Sequence, residues 1–216
     1  MTRLWWRPRG RPALAFALAL VLTLTLAGCS AGPQNRRVTA SGSPAVLSAG
    51  TLDETGLSEF DATNETFETR VEATLSGDVS VRAVVEANVT TPVREYRRAD
   101  GVVVGVVSTP AVQPVENRSA YRDPLAELPT GEQVDYAQSR YGVAELGDGE
   151  RVRNVTLLGR GTPLERFEAA ARGEPVTVYL TRARDGDDVV TVVVVAPVGS
   201  ELDVDDVVSI VGGVEH

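Results

Sequence analysis

The feature that most limits what this chain can fold into is an apolar run from Ala13 to Ala27, which leads directly to Cys29, the only cysteine of the sequence. Four arginines precede the run, and no acidic residue occurs before Asp53. This order of a charged and then an apolar region is typical of a secretory signal. The run is also shorter than the roughly 20 residues that a membrane-spanning helix needs. We therefore predict that residues 1–28 form a signal peptide outside the folded domain.

The segment Leu26-Ala-Gly-Cys29 resembles the lipobox of bacterial-type lipoproteins, in which the cysteine thiol receives the lipid. We predict that Cys29 is the lipidated N-terminus of the mature protein and holds it on the outer side of the cell membrane. An uncleaved signal anchor with a buried cysteine is the alternative. The early arginines include no adjacent pair, so the twin-arginine route is not supported, and the export route stays open. A lipidated Cys29 leaves no thiol for a disulfide, so the fold must depend on its core.

After Cys29, 187 residues remain, which is enough for one domain with a sizeable core. Residues 29–44 are rich in Pro, Gly and Ser and predict a flexible tether, and residues 45–216 predict a single extracytoplasmic domain. All 30 acidic residues but only 17 of the 21 basic residues follow Cys29, which gives the mature chain a formal charge of −13. This charge opposes phosphate binding and excludes nucleic acid as a partner.

Every basic residue other than the single histidine is arginine, because the sequence contains no lysine. An acid-rich chain without lysine indicates a GC-rich genome and a salt-loving organism, in which carboxylates keep the protein soluble. A cation-binding role for the acidic residues is the less favoured alternative.

Alternating apolar and polar residues predict strands in two groups, each joined by short turns. The strands of the first group are Asn64 to Leu75, Val79 to Tyr96 and Val102 to Ser108, the last apolar on both faces. Those of the second group are Val152 to Gly161, Leu164 to Ala171, Val176 to Arg182 and Val189 to Ala196. Each group is expected to form an antiparallel meander.

Three helices are predicted beside these strands. The first runs from Ser48, its N-cap, to Thr55, and the second from about Gly131 to Tyr141. The third follows a capping box that begins at Ser200. The apolar stripe of this helix, which is expected to pack on the sheet, consists of Val204, Val207, Val208 and Val211. Val208, at the centre of that helix, is expected to be the most enclosed. Together these elements predict an α+β fold with one antiparallel sheet of about six strands, on which the middle and C-terminal helices pack.

Several short stretches resemble a family of haloarchaeal lipoproteins defined only as domain-of-unknown-function family 6517. These stretches are Val106-Val-Ser-Thr-Pro-Ala-Val112, Gln138-Ser-Arg-Tyr141, Leu157-Leu-Gly159 with Arg166-Phe-Glu168, Val176-Thr-Val-Tyr179, Asp185-Gly-Asp-Asp188 and Gly213-Val-Glu-His216. The resemblance extends from about Ala45 to the C-terminus. It implies no activity, cofactor or catalytic residue.

Residues with the chemistry for catalysis or metal binding are scarce. The single histidine, His216, is the last residue of the sequence and is expected to fray, which argues against Ser-His-Asp catalysis and against a zinc site of the Cys/His kind. Adjacent acids such as Asp205 and Asp206 are expected to be solvated. The segment Asp185-Gly-Asp-Asp188 is expected to be a hairpin turn and not a calcium loop. We therefore predict no catalytic, cofactor-binding or metal-ligating residue.

Four Asn-X-Ser/Thr sequons are candidate glycosylation sites, at Asn64, Asn88, Asn117 and Asn154. Asn117 lies in a predicted loop and is the most accessible of them, whereas Asn88 lies on a predicted strand and is expected to be hindered.

Two functions of different classes fit the sequence. The first is a non-catalytic surface lipoprotein that binds an unidentified envelope protein or a small ligand, or assists envelope assembly. The second is a hydrolase of surface glycans or other extracellular substrates that uses carboxylates alone, which requires two acids roughly 5 to 9 Å apart across a cleft. The sequence does not indicate an oligomeric state.

Overall fold

The structure, a computed structural model, describes residues 36–75, 81–114 and 121–216. Eleven strands and three helices are defined within these ranges. The strands are β1 Arg36–Ser41, β2 Val46–Leu47, β3 Ser58–Leu75, β4 Val81–Arg97, β5 Val103–Pro110, β6 Val143–Leu146, β7 Glu150–Leu157, β8 Arg160–Ala171, β9 Glu174–Asp185, β10 Asp188–Pro197 and β11 Val214–Glu215. The helices are α1 Ala49–Thr55, α2 Thr130–Ala137 and α3 Val204–Gly212, and a 3₁₀ turn spans Leu125–Glu127.

Nine of the strands form one sheet, in which the main neighbours are β3, β4, β5, β10, β9, β8 and β7 in that order. Strand β1 lies beside β4 beyond the end of β5, and β6 lies beside β8 beyond the end of β7. The β1–β4 pair is parallel, with Arg36–Ser41 opposite Val85–Thr90, and the other described pairs of the sheet are antiparallel. Strands β2 and β11 form a separate two-stranded sheet.

The expected α+β fold with an antiparallel sheet of about six strands is therefore wrong. The described fold is mostly β, and its large sheet is mixed and has nine strands. Arg36–Ser41 has a polar, linker-like sequence and lies inside the predicted tether, but β4 offers it an open edge of N–H and C=O groups. Pairing with β4 satisfies those backbone groups and makes the segment a strand.

The core lies on both faces of the sheet. One face is covered by α1, α3 and the β2–β11 ribbon, with the buried side chains of Tyr96, Val192 and Ile210 among its members. The other face is covered by α2 and the 3₁₀ turn and includes Leu125 and Phe167. Every residue of β5 is buried, as its apolar sequence predicts for a strand covered on both sides.

The helices begin and end for identifiable reasons. The hydroxyl of Ser48 accepts a hydrogen bond from the Thr51 amide, and Gly56 ends α1 with a φ of 66°, which confirms the predicted first helix. Helix α2 is shorter than predicted and ends at Ala137. The capping box of α3 is formed by Asp203 and Asp206, three residues later than the sequence analysis placed it.

The buried face of α3 also differs from the prediction. Val207, Ile210 and Val211 are buried, whereas Val208 is half-buried. The expectation that Val208 is the most enclosed valine is therefore wrong. The face of α3 that packs on the sheet is centred on Val207, Ile210 and Val211, and Val208 lies at its margin.

The predicted strand from Val152 to Gly161 contains a turn. Leu158 and Gly159 have φ values of 51° and 72° and connect β7 to β8 as a two-residue hairpin loop. Both central residues of a type I′ turn need a positive φ, and leucine is a rare occupant of such a position. Gly159 suits the second of these positions, but Leu158 at the first does not indicate a turn, so the apolar pattern was interpreted as one continuous strand.

Candidate functional site

The side chain of His216 lies in a polar cluster at one end of the central strands. Strand β11 pairs with β2 and ends at Glu215, which brings His216 against the hairpin that joins β9 to β10. Gly186 occupies the first central position of that hairpin with a φ of 56°, and Asp185 and Asp188 face each other across it. The predicted hairpin at this segment is thus confirmed. The His216 side chain is 10% exposed.

Both ring nitrogens of His216 have partners in this cluster. Nδ1 lies 3.0 Å from Oδ2 of Asp185, and Nε2 lies 3.2 Å from Oδ2 of Asp188 and 3.3 Å from Oγ of Ser108. The same Asp188 oxygen accepts a hydrogen bond of 2.8 Å from the Ser43 amide. The cluster therefore joins the last residue of the sequence to the β9–β10 turn, to β5 and to the segment before β2.

The order Ser108, His216, Asp185 has the connectivity of a catalytic triad, but two features oppose that role. Ser108 is completely buried, so its hydroxyl cannot meet a substrate. A carboxylate oxygen only accepts hydrogen bonds, so Nε2 contacts Asp188 favourably when it carries a proton, and it cannot then take a proton from Ser108. The arrangement is suited to holding the fold together.

The prediction that His216 frays is wrong. A terminal residue is ordered when backbone pairing and side-chain contacts hold it in place. The pairing of β11 with β2 holds the backbone next to His216, and Asp185 and Asp188 contact its side chain. A two-residue strand leaves no periodicity in the sequence, so this placement could not be read from the pattern.

A second polar cluster surrounds Glu95, which is 3% exposed on β4. Its Oε1 accepts a hydrogen bond of 2.6 Å from Nε of Arg97, and its Oε2 accepts bonds of 2.7 and 2.9 Å from the amide and hydroxyl of Ser139. The Arg97 guanidinium also lies over the Phe60 ring, 3.1 Å from its centroid. These bonds supply the partners that a buried carboxylate requires. The sequence analysis missed Glu95, since nothing distinguishes it from the other 29 acidic residues.

Glu95 lies at the bottom of a narrow groove between β3, β4 and the end of α2. The groove is also lined by Asp61, Glu65 and Asp135, and Tyr136 forms part of its wall. Oδ1 of Asp135 accepts a hydrogen bond of 2.8 Å from the Val143 amide, which links α2 to β6. Burial raises the pKa of the Tyr136 hydroxyl to about 12. The groove is acidic, and its one deeply buried carboxylate already has internal partners.

A third buried carboxylate belongs to Asp123, whose side chain is 9% exposed. Burial raises its pKa above the usual value, although the Arg182 guanidinium 3.5 Å away and the amide of Leu125 oppose that shift. Arg182 also donates a 2.7 Å hydrogen bond to Oε1 of Gln133 on α2. This cluster anchors α2 and the 3₁₀ turn to β9.

The modification sites predicted from the sequence are spread over the molecule. Cys29 and Asn117 lie outside the described residues. Asn64 is exposed on β3, and Asn154 is exposed on the edge strand β7, where it accepts a hydrogen bond from Arg151. Asn88 lies on a strand as predicted, half-buried on β4 between β1 and β3, and its hindrance to glycan attachment stays a prediction.

The fold and its polar clusters define a mostly β domain whose sheet is covered on both faces and whose described buried acids are bonded internally. The family model described as "Domain of unknown function (DUF6517)" matches residues 44–215, so the chain belongs to that family. No curated protein and no solved structure matches the chain. Within the described ranges, no helix is long and apolar enough to cross a membrane.

Proposed function

We propose that this protein is a lipid-anchored, extracytoplasmic binding or envelope-assembly module without catalytic activity. The observation that supports this proposal is that the buried ionisable side chains have bonding partners within the protein. Glu95, Asp123, Asp188 and His216 are each bonded to groups of the same chain. A general acid or base needs a polar atom that can reach a substrate. The polar atoms of these four side chains instead form hydrogen bonds or ion pairs with other parts of the same chain.

The lipid anchor, the export of the protein and its high-salt environment are inferred from the sequence. The lipobox-like segment that ends at Cys29 supports attachment to lipid, and the charged and apolar regions before it support export. A mature charge of −13 without lysine supports a haloarchaeal, high-salt environment. The partner is then an envelope protein or small ligand outside the cell, and the exposed sequons are candidates for glycan attachment.

A carboxylate-dependent hydrolase is the second candidate, and the acidic groove at Glu95 favours it. Such an enzyme needs one carboxyl group that protonates the leaving group and a second that acts as base or nucleophile. Glu95 is a poor choice for either role, because Arg97 and Ser139 occupy both of its oxygens.

The anchor is tested with the full chain and its Cys29→Ser variant, expressed in a host that lipidates such precursors. We expect the wild-type protein in the membrane fraction with a lipid on Cys29 by mass spectrometry. The variant should remain an unprocessed precursor or pass into the medium. Ser30→Ala, at the adjacent position, is the matched control and should behave like the wild type. Unchanged processing and retention of Cys29→Ser would refute the anchor.

The absence of catalysis is tested separately with the purified full chain and Glu95→Gln, incubated with envelope glycans. We expect no glycan cleavage by either protein. Turnover by the wild type that Glu95→Gln abolishes, without loss of folding, would establish the hydrolase instead.

A further inference from the structure

Strands β3 and β4 continue well past the rest of the sheet. Strand β5 pairs with β4 only from Val93 to Arg97, whereas the β3–β4 pairing continues as far as Leu75 and Val81. We call this extension the arm: the part of β3 from Phe67 onward, the part of β4 up to Val89, and β1, which pairs with that part of β4.

The arm is packed and not merely extended. Val71, Val85, Ala87 and Val89 are buried on one face of the arm, where Val38 of β1 and Phe67 of β3 pack beside them and Val112, outside the arm, completes the cluster. The contact with Val112 ties this face of the arm to the segment that follows β5.

The direction of β1 shows from which side the chain enters the sheet. Because β1 is parallel to β4, its first residue, Arg36, lies opposite Val85, and its last residue, Ser41, lies opposite Thr90 nearer the centre of the sheet. Strand β1 therefore begins at its end nearer to the free end of the arm. Cys29 precedes Arg36 by seven residues. A fully extended segment of that length spans at most about 25 Å.

The free end of the arm lies within that distance. Strand β4 extends four residues, about 13 Å, from Val85, the residue opposite Arg36, to Val81 at the end of the arm. A surface that holds Cys29 is thus within reach of the end of the arm.

The charge of the arm differs from that of the whole protein. Arg37, Glu86 and Arg70 occupy one row across β1, β4 and β3, and Nη2 of Arg37 lies 3.3 Å from Oε2 of Glu86. By sequence, the strands of the arm contain four arginines and three glutamates, a formal charge of +1; these are Arg36, Arg37, Arg70, Arg82, Glu68, Glu72 and Glu86. The mature chain as a whole carries −13. Anionic headgroups therefore repel the arm less than the rest of the domain.

We propose that the arm faces the membrane, with its free end and the row of Arg37, Glu86 and Arg70 next to the lipid headgroups and the opposite end of the sheet directed away. The proposal rests on lipidation of Cys29 as proposed above. It assigns the partner of this surface as the headgroup layer that holds the anchor, and it leaves the far end of the domain free for a protein or ligand partner.

The test uses two exposed glutamates of the same strand, Glu68 in the arm and Glu59 near the far end of β3. Nine residues of strand separate them by about 30 Å. Full-length, lipidated Glu68→Cys and Glu59→Cys are labelled with a thiol-reactive fluorophore, since the lipid occupies the thiol of Cys29. The proteins are bound to vesicles of phosphatidylcholine with a minor share of phosphatidylglycerol and a headgroup-attached quencher.

We expect the label at position 68 to be quenched several-fold more than the label at position 59. Equal quenching, or stronger quenching at position 59, would overturn the orientation while leaving the anchor intact. A labelled protein that fails to bind the vesicles at all would instead refute the lipid anchor. Both variants carry Cys29, and Cys29→Ser combined with each of them should stay in solution. Circular dichroism of both variants confirms that the comparison is between folded proteins.

Discussion

Gly105 on β5 lies directly against the carbonyl oxygen of Ala137, the last residue of α2, so closely that a Cβ atom at position 105 would stand 2.1 Å from that oxygen. Because Gly105 has no side chain, the backbone at the end of α2 can contact the backbone of β5 directly. Glycine is required here by the close approach of two backbones.

Replacing Gly105 with alanine should force β5 and α2 apart and lower the free energy of unfolding by roughly 1–3 kcal/mol. Gly50 in α1 is the matched control, since no atom lies within 4 Å of the Cβ position there. Gly50→Ala should leave stability unchanged or raise it by up to about 1 kcal/mol. Denaturant unfolding at fixed high salt measures both. Equal stability of the two variants would contradict the close approach.

Val207 on α3 is fully buried, whereas its neighbour Val208 is half-buried. Val207→Asp places an unpaired charge in the core and should lower the free energy of unfolding by several kcal/mol, a large share of a total near 5–15 kcal/mol. Val208→Asp can keep its carboxylate in water and should cost clearly less. Asp205→Ala, whose side chain is 83% exposed and paired with Arg153, should change stability by about 0.5 kcal/mol. Thermal and denaturant unfolding rank the three variants, and a larger effect at Val208 would mean that α3 is rotated.

The elements with a strong local signal were predictable from the sequence. The alternation in β3 and β4, the apolar run of β5 and the Ser48 and Gly56 caps of α1 all gave elements of the right type near the right residues. The wrong predictions concern β1 and the turn between β7 and β8. Strand β1 exists because β4 has an open edge, and the turn at Leu158 and Gly159 contradicts the usual preferences of leucine.

The candidate sites were less predictable than the fold. Glu95 and Asp188 are buried carboxylates, but their sequence context matches that of many exposed acids, and only their partners Ser139 and Ser43 distinguish them. His216 was placed by the pairing of β11 with β2. Long-range contacts of this kind leave no trace in periodicity or spacing.

The contacts of His216 predict a stabilising role. His216→Ala removes the partners of Asp185 and Ser108 and leaves the buried Asp188 with the Ser43 amide, so it should cost roughly 1–3 kcal/mol. Asp187→Ala, in the same turn with a side chain that is 96% exposed, is the control and should change stability by about 0.5 kcal/mol or less. Denaturant unfolding measures both variants. A His216→Ala protein as stable as the control would show that the cluster contributes nothing to the fold.

The buried hydroxyl of Tyr136 predicts a loss of stability at high pH. Burial raises its pKa from 10.0 to about 12, so the folded protein keeps a proton that the unfolded chain loses first. Between pH 10 and pH 12 the unfolded state therefore binds fewer protons, and the free energy of unfolding falls as pH rises. Burial also raises the pKa of Tyr96 and Tyr179, so the wild-type slope contains three contributions of the same sign.

Tyr136→Phe removes one of these contributions and should make the decline of stability above pH 10 less steep, with little change in its slope at neutral pH. Denaturant unfolding of both proteins at several pH values and one salt concentration measures the difference, and tyrosinate absorbance in the folded wild type reports the titration directly. Phenylalanine keeps the edge-to-face contact with Phe67, whose ring centroid lies 5.1 Å from that of Tyr136, so the core is preserved. An unchanged slope in Tyr136→Phe would mean that the hydroxyl is solvated in the folded state.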